Sequence, residues 1–503
     1  MSPNTLAAID LGSNSFHLQI VRVVDNTLYP LDSLKDTVRL GAGITPEKSI
    51  DAKTAERAFA TLRLFAERVR GMPRNHVRVV GTNALRVAKN ALEFVRDAEA
   101  ILGFPIEIIA GREEARLIFL GVAKSLPPVS HGRLVVDIGG GSTEFIIGHR
   151  FKPKRVDSLY MGCVSYSARF FPDGEIDKRR FKDAQFAARK EIEQIRVAFC
   201  NEGWQEVFGS SGTAKALAGI IVENGFSQTG ISRRGLEWLR DRAIKSGNFR
   251  NLELSIKPDR IPVLAGGVAI MLTVFEELNI DEMQPVDAAL RDGVLHDMLG
   301  RAHQADMPDV RESTVEQFAR RFHIDYKQAD RVRDLAIHFF TNIMVASSDA
   351  PDDTGQTTSK QRLLWAARLH EIGTSISQAG FHRHSAYILS GADMPGFSKR
   401  EQAPLAKVVL AQRGKLVKVV ADTPLDNDFI REALCLRLAV LLSRSRRHVA
   451  ANVFSLVSED AKSYILTIDA VWLAKHDLTD YELVQEIAEW KALNVSLELK
   501  KSG

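Results

Sequence analysis

The spacing of hydrophobic and polar positions changes several times along this chain, and each change predicts an element. Leu6–Asp10 is a short apolar run, after which Phe16, Leu18 and Ile20 alternate with His17 and Gln19. That period of two predicts a half-buried strand. Across 54–70 the spacing becomes helical, with Ala58, Leu62, Phe65 and Val69 on one face. Val77–Val80 predicts a strand, Gly81-Thr82-Asn83 the opening of a helix, and Pro105–Ile109 another strand. Gly111 predicts a turn and Glu113–Ala123 a helix ending near Pro127-Pro128. Arg133–Ile138 then reads as a strand running straight into Gly139-Gly140-Gly141.

One unit occurs twice. Asp10-Leu11-Gly12-Ser13-Asn14-Ser15 and Asp137-Ile138-Gly139-Gly140-Gly141-Ser142 share the order strand, Asp, apolar, Gly, small residues, Ser, with a further strand after each (Phe16–Val24 and Thr143–Gly148). The copies lie 127 positions apart (137 − 10). A repeated strand–turn–strand implies two related halves facing each other across a cleft, hence an α/β architecture with two lobes. From about residue 305 strand signals vanish and helical spacing dominates to roughly 450, interrupted by the polar stretch Ser347–Lys360, expected to be a loop. The last fifty residues return to strand, helix and strand at Tyr464–Asp469, Tyr481–Ala492 and Val495–Leu499. The expected domains are residues 1–130, 131–304, 305–455 and 456–503.

Composition narrows this picture without changing it. A chain of 503 residues is too long for one core. Lys+Arg exceeds Asp+Glu by four (67 − 63), so a groove for polyanions needs local clustering of cations, and nucleic acid is not an expected partner. Cys163, Cys200 and Cys435 form no CxxC pair and are expected to be buried small hydrophobes of a reducing compartment. With no charged-then-apolar leader at the N-terminus and no apolar run of 18 residues, a cytoplasmic location is expected, peripheral membrane association being allowed for.

The chemistry concentrates at the turns. Three consecutive glycines leave backbone N–H groups free to converge on an anion, and Ser142 and Thr143 add hydroxyls. Asp137 and Glu144 flank the turn with hard oxygen atoms suited to magnesium beside phosphate. A plain hairpin with solvated acids is the bland alternative, and the second copy at Asp10–Ser15 weighs against it. In Gly111-Arg112-Glu113-Glu114-Ala115-Arg116 both acids open a helix, where the macrodipole already favours them. From the residues alone that structural role is preferred, although a carboxylate beside a phosphate site could deprotonate water. Arg86, one turn into its helix, could hold phosphate through its fork or be a surface arginine. Gly209-Ser210-Ser211-Gly212-Thr213-Ala214, after a strand, could line a phosphate or nucleotide cleft, and Gly266-Gly267 is read as opening an apolar helix in the same way.

Taken together, DLGSNSFH (10–17), GTNALR (81–86), GREEARLIFLGV (111–122), DIGGGSTE (137–144), GSSGTAKAL (209–217) and HRHSAYIL (382–389) resemble the exopolyphosphatase/guanosine pentaphosphate phosphohydrolase family nearly end to end. The resemblance implies two ribonuclease H-like lobes of the actin-like ATPase superfamily, then an all-α HD-like domain and a small α+β domain. It makes Glu114 the catalytic base, against the preference drawn from periodicity. It places magnesium on Asp137 and Glu144, with Asp10 reaching the metal through water, and leaves potassium as a candidate activator. It assigns Gly139, Gly140, Gly141 and Ser142 to the main phosphate loop and Ser13, Asn14 and Arg86 to the opposing contacts. No covalent phosphoenzyme is required.

In the helical part, His370-Glu371 stands where an HD site carries His-Asp, and Gln378 where relatives often have another histidine, so a second catalytic metal site is not expected. His370, His382 and His384 are read as buried or hydrogen-bonded. Arg437, Arg444, Arg446, Arg447 and His448, with Lys407, Arg413, Lys415 and Lys418, read by default as a solvated face. The resemblance makes Arg444, Arg446, Arg447, Lys415 and Lys418 candidates for a channel that holds a long anion. The first expectation is a homodimeric exopolyphosphatase, the second a guanosine pentaphosphate phosphohydrolase. A superfamily kinase or ATPase and a catalytically dead polyphosphate or alarmone sensor are the alternatives of different class.

Overall fold

A computed structural model of the chain describes residues 5–24, 27–302, 309–346, 353–420 and 425–502. It divides into two compact units, Met1–Asp309 and Val310–Gly503.

The first unit opens with strands β1 (Thr5–Leu11), β2 (Phe16–Val24) and β3 (Thr27–Asp36), then helix α1 (Ala52–Val69), β4 (Val77–Gly81), α2 (Asn83–Val87), α3 (Ala91–Leu102), β5 (Ile106–Ile108) and α4 (Gly111–Ser125). The second half repeats the plan: β6 (Arg133–Ile138), β7 (Thr143–His149), β8 (Lys152–Leu159), α5 (Cys163–Phe170), α6 (Lys178–Glu202), β9 (Glu206–Ser210), α7 (Ser211–Glu223), β10 (Ile231–Ser232), α8 (Arg233–Ser246), α9 (Ile261–Glu277), β11 (Glu282–Pro285) and α10 (Leu290–Ala302). One sheet runs β3-β2-β1-β4-β5 and the other β8-β7-β6-β9-β11-β10. In both, three antiparallel strands lead into parallel ones. This shared order, the ribonuclease H-like order of actin-like lobes, makes the duplication structural.

α4 and α10 lie between the sheets and share one apolar cluster with both, including Ala8, Val80, Leu117, Val135, Ile146 and Val294. α1 buries Ala58, Leu62, Phe65 and Val69, the face its periodicity predicts, and its first turn is capped by Asp51, which accepts from the Thr54 N–H at 2.8 Å. α9 belongs to Pro258–Glu277, the single stretch among the described residues long and apolar enough to cross a membrane, and it packs within the second lobe's core. Gly266 and Gly267 lie inside α9, not at its start; Pro262 opens it, as its missing N–H suits the first turn.

The second unit comprises α11 (Val310–Arg321), α12 (Tyr326–Ala346), α13 (Asp353–Leu369), α14 (Phe381–Gly391), α15 (Lys399–Ala411), α16 (Leu416–Val419), α17 (Asn427–Leu442), β12 (Phe454–Asp460), β13 (Ser463–Asp469), α18 (Ala470–Leu473), α19 (Asp477–Lys491) and β14 (Ser496–Ser502). β12 pairs antiparallel with β13, and β13 pairs parallel with β14, in the order β12-β13-β14. One apolar cluster, with Phe339, Leu434, Phe454, Leu466 and Trp490, joins helices and sheet. The loop expected over Ser347–Lys360 is corrected in part: 353–360 is helical, because the apolar half of α13 nucleates a helix that propagates into polar residues. Residues 347–352 lie outside the described ones.

Candidate active site

Two strand–turn–strand hairpins meet at the centre of the first unit. β1 and β2 pair Asp10 with His17, and β6 and β7 pair Asp137 with Glu144. The turns between them are anchored from behind. Cys163 N donates to the Gly139 carbonyl (2.9 Å), and Val164 N to that of Gly140 (2.9 Å), from the first turn of α5. In a planar trans peptide the N–H points opposite to the C=O, so the N–H groups of Gly140 and Gly141 face away from α5. The first hairpin is held likewise: Gly41 N donates to the Ser13 carbonyl (2.8 Å) and Arg39 N to that of Asn14 (2.7 Å). The two turns touch. A Cβ on Gly140 would lie 3.0 Å from Ser13 Cβ and 3.1 Å from Asn14 N, and one on Gly141 would overlap the Asn83 carboxamide. A side chain at either position would force the facing turn or Asn83 to shift, so glycine suits this approach.

The acids gather around this junction. Arg86 Nη1 donates to Glu114 Oε2 at 2.8 Å and to the Ile109 carbonyl at 2.9 Å. Ser158 Oγ donates to Glu144 Oε1 at 2.8 Å. Burial, with Glu114 and Asp137 adding repulsion against Arg291, pushes the Asp10 carboxyl up to about 8. Burial likewise raises Asp137 to about 6, opposed by Ser210 and Lys215. Glu144 is raised well above its ordinary value by burial and then by Glu114 and Asp137. Asp10 Oδ1 and Asn14 Oδ1 are buried without a hydrogen-bond partner.

Buried acids that repel one another and leave an oxygen unpartnered suit a hard cation, and their chemistry fits magnesium. No group of three His, Cys, Asp or Glu side chains among the described residues closes into a metal cage. Magnesium seldom uses such a cage; it takes one or two carboxylates and completes its shell with water and phosphate oxygens. Asp137 and Glu144, with Asp10 at the facing turn, are the residues that would hold it.

Family comparison follows the same boundaries. The profile described as the Ppx/GppA phosphatase family matches residues 19–302, and that of Ppx/GppA phosphatase domain III matches 310–487. The chain belongs to the Ppx/GppA phosphatase family. Proteins named guanosine-5′-triphosphate,3′-diphosphate pyrophosphatase from Aeromonas salmonicida and Aeromonas hydrophila are each 37% identical over 487 residues, covering 96% of this chain and 96% of theirs. Among solved structures, an exopolyphosphatase from Cytophaga hutchinsonii is 25% identical with a TM-score of 0.53, covering 59% of this chain and 98% of that one. An exopolyphosphatase-like protein is 27% identical with a TM-score of 0.53, over 58% and 97%.

Within this Ppx/GppA site, sequence reading passed over several residues. Asn83 abuts Gly141 and keeps Nδ2 buried without a partner, yet its motif drew notice for Arg86 alone. Ser158 sits on β8, a strand with little apolar signal. His17 carries the largest surprise, because Arg291, Lys35, Arg260 and Lys215 surround it electrostatically. These cations come from four separate elements, so no run of charge marks them in sequence.

In the domain III unit, His370 is buried with Nδ1 2.7 Å from the Ala367 carbonyl. Glu371 accepts from Arg446 Nη2 at 2.7 Å, and Arg446 Nη1 also donates to Asp325 at 2.8 Å. Arg444 pairs with Glu482. Arg437 is buried, gripping Glu486 at 2.6 Å, and so belongs to the core. Arg447, Lys415 and Lys418 are exposed.

Proposed function

We propose that this Ppx/GppA phosphatase removes the terminal 5′-phosphate of guanosine 5′-triphosphate 3′-diphosphate, using a water positioned by Glu114. The resemblance of its motifs puts inorganic polyphosphate first among substrates. The order is reversed because relatives matching nearly the whole chain carry the guanosine substrate in their names. Polyphosphate remains the second substrate, favoured by likeness to exopolyphosphatase structures and by the cations around His17.

The observation that carries the reaction class is the Glu114–Arg86 pair beside two anion-binding turns. The N–H groups of Gly140 and Gly141 and the hydroxyls of Ser13 and Ser142 would receive the terminal phosphoryl oxygens. Arg86 holds Glu114 through Oε2, fixing a carboxylate that can take the proton of an attacking water. The water oxygen forms its bond to phosphorus as the anhydride bond opposite breaks, and the shortened nucleotide leaves. A divalent ion held by Asp137 and Glu144 would offset negative charge at the reacting phosphate. Magnesium-dependent phosphate release should be measured side by side on guanosine 5′-triphosphate 3′-diphosphate and on long polyphosphate. A higher kcat/KM for the nucleotide is expected; preference for polyphosphate would restore the first ordering, and release from neither would sink both.

A further inference from the structure

Glu113 and Glu114 are neighbours on the first turn of α4, yet their side chains serve different places. Glu114 meets Arg86. Glu113, only 1% exposed, enters a buried set of ion pairs. Arg116 grips it with a fork, Nε to Oε2 and Nη2 to Oε1, both 2.8 Å. The same Nη2 reaches Oδ1 of Asp297 on α10 at 2.7 Å. Asp297 Oδ2 accepts from Arg78 Nη1 on β4 (2.7 Å) and from Arg301 Nε (2.8 Å). Arg78 continues to Glu107 on β5 at 3.1 Å. One carboxylate on α10 therefore gathers three guanidiniums, of which two come from the first lobe.

α4 and α10 also meet backbone to backbone, since a Cβ on Gly293 would overlap the Leu117 carbonyl. The start of α10 is tied to β2 by Arg291 Nε, which donates to Gln19 Oε1 at 2.7 Å. Buried ion clusters seldom stabilise a fold better than apolar packing would. What planar forks on a shared carboxylate supply is direction. We propose that Asp297 is a positioning residue, which fixes Arg116 and Glu113 and thereby the aim of Glu114 at the attacking water. The inference rests on Glu114 as the residue that activates water.

A double-mutant cycle in the full-length protein tests it. Asp297→Asn should lower kcat for guanosine 5′-triphosphate 3′-diphosphate by about 10- to 100-fold, the usual penalty for a misplaced catalytic group. KM should stay within about threefold, because only transition-state alignment is lost. In the Glu114→Gln background the same change should cost under about twofold, since an absent base cannot be misaimed. Arg116→Lys keeps the charge and loses the fork, so its kcat should fall between the parent and Asp297→Asn. Equal losses in both backgrounds, or a loss confined to KM or to the folded fraction, would overturn the proposal. If Asp297→Asn does not fold, Arg116→Lys replaces it in the cycle with the same criteria. Full turnover by Glu114→Gln alone overturns the Glu114 assignment and this inference with it, whereas loss there with additive effects of Asp297 overturns only this one.

Discussion

The two hairpins of the first unit share a backbone and differ in what stands opposite the strand-end aspartate. In each, the paired residues are seven apart (17 − 10 and 144 − 137), and the turn carbonyls are anchored from behind by another segment's N–H groups. In the second hairpin the partner is Glu144, which doubles the hard oxygen atoms at that corner. In the first it is His17, held neutral by burial and then by Arg291, Lys35, Arg260 and Lys215, which push its pKa down to about 3. Duplication thus supplied two similar turns, and one pair of side chains made them unequal. On the proposed reading the acidic corner takes the cation and the other faces the remaining phosphates.

The largest expected effect belongs to neither hairpin and calibrates both. Glu114→Gln should lower kcat by roughly 10²–10⁴-fold, while binding measured by calorimetry changes little. Near-normal turnover would remove Glu114 from the chemistry.

The next test addresses the asymmetry itself. Asp137→Asn or Glu144→Gln should raise the magnesium concentration for half-activation by about tenfold or more, and Asp10→Asn by less. Equal shifts would mean that the hairpins share the ion evenly. Protons compete with a cation for carboxylates whose pKa is raised. With Asp137 near 6 and Asp10 near 8, magnesium affinity should climb as pH rises from 6 to 8. Titration calorimetry showing a flat response would refute that linkage.

His17 offers a smaller effect with a clear sign. A histidine whose pKa is pushed down to about 3 stays neutral at every pH above that value. His17→Gln should therefore leave the shape of the kcat/KM profile between pH 5 and 8 unchanged, and loss of a step near 6.5 would show that the imidazole does titrate there. The smallest change is expected from Arg447, Lys415 and Lys418, exposed in the other unit. Their joint replacement by Ala should raise KM for long polyphosphate and flatten its salt dependence, with the nucleotide barely affected. A matching loss on both substrates would point to destabilisation.

Much of this was written in local pattern. The period-two run after Asp10, the helical face of α1, the repeated Asp-x-Gly turns and the strand before Gly139 all follow from short-range spacing, which reports burial wherever one face of an element is covered. β3 and β8 escaped because edge strands are largely exposed and carry little alternation. So did the helical start of α13, polar in sequence but propagated from its apolar half. Short-range spacing put Glu113 and Glu114 together at a helix start, where only the motif resemblance singled out Glu114, and could not say which partner each would meet. That depended on Arg86, 28 positions away, and on Asp297, 181 positions from Arg116. Arg437 lies in a run of cations that spacing reads as a solvated face, yet it pairs with Glu486 in the core. The chain encodes which residues are buried through periodicity, but which buried charges meet is decided only when distant elements pack, because a charge in low dielectric must be matched by whatever the fold brings within reach.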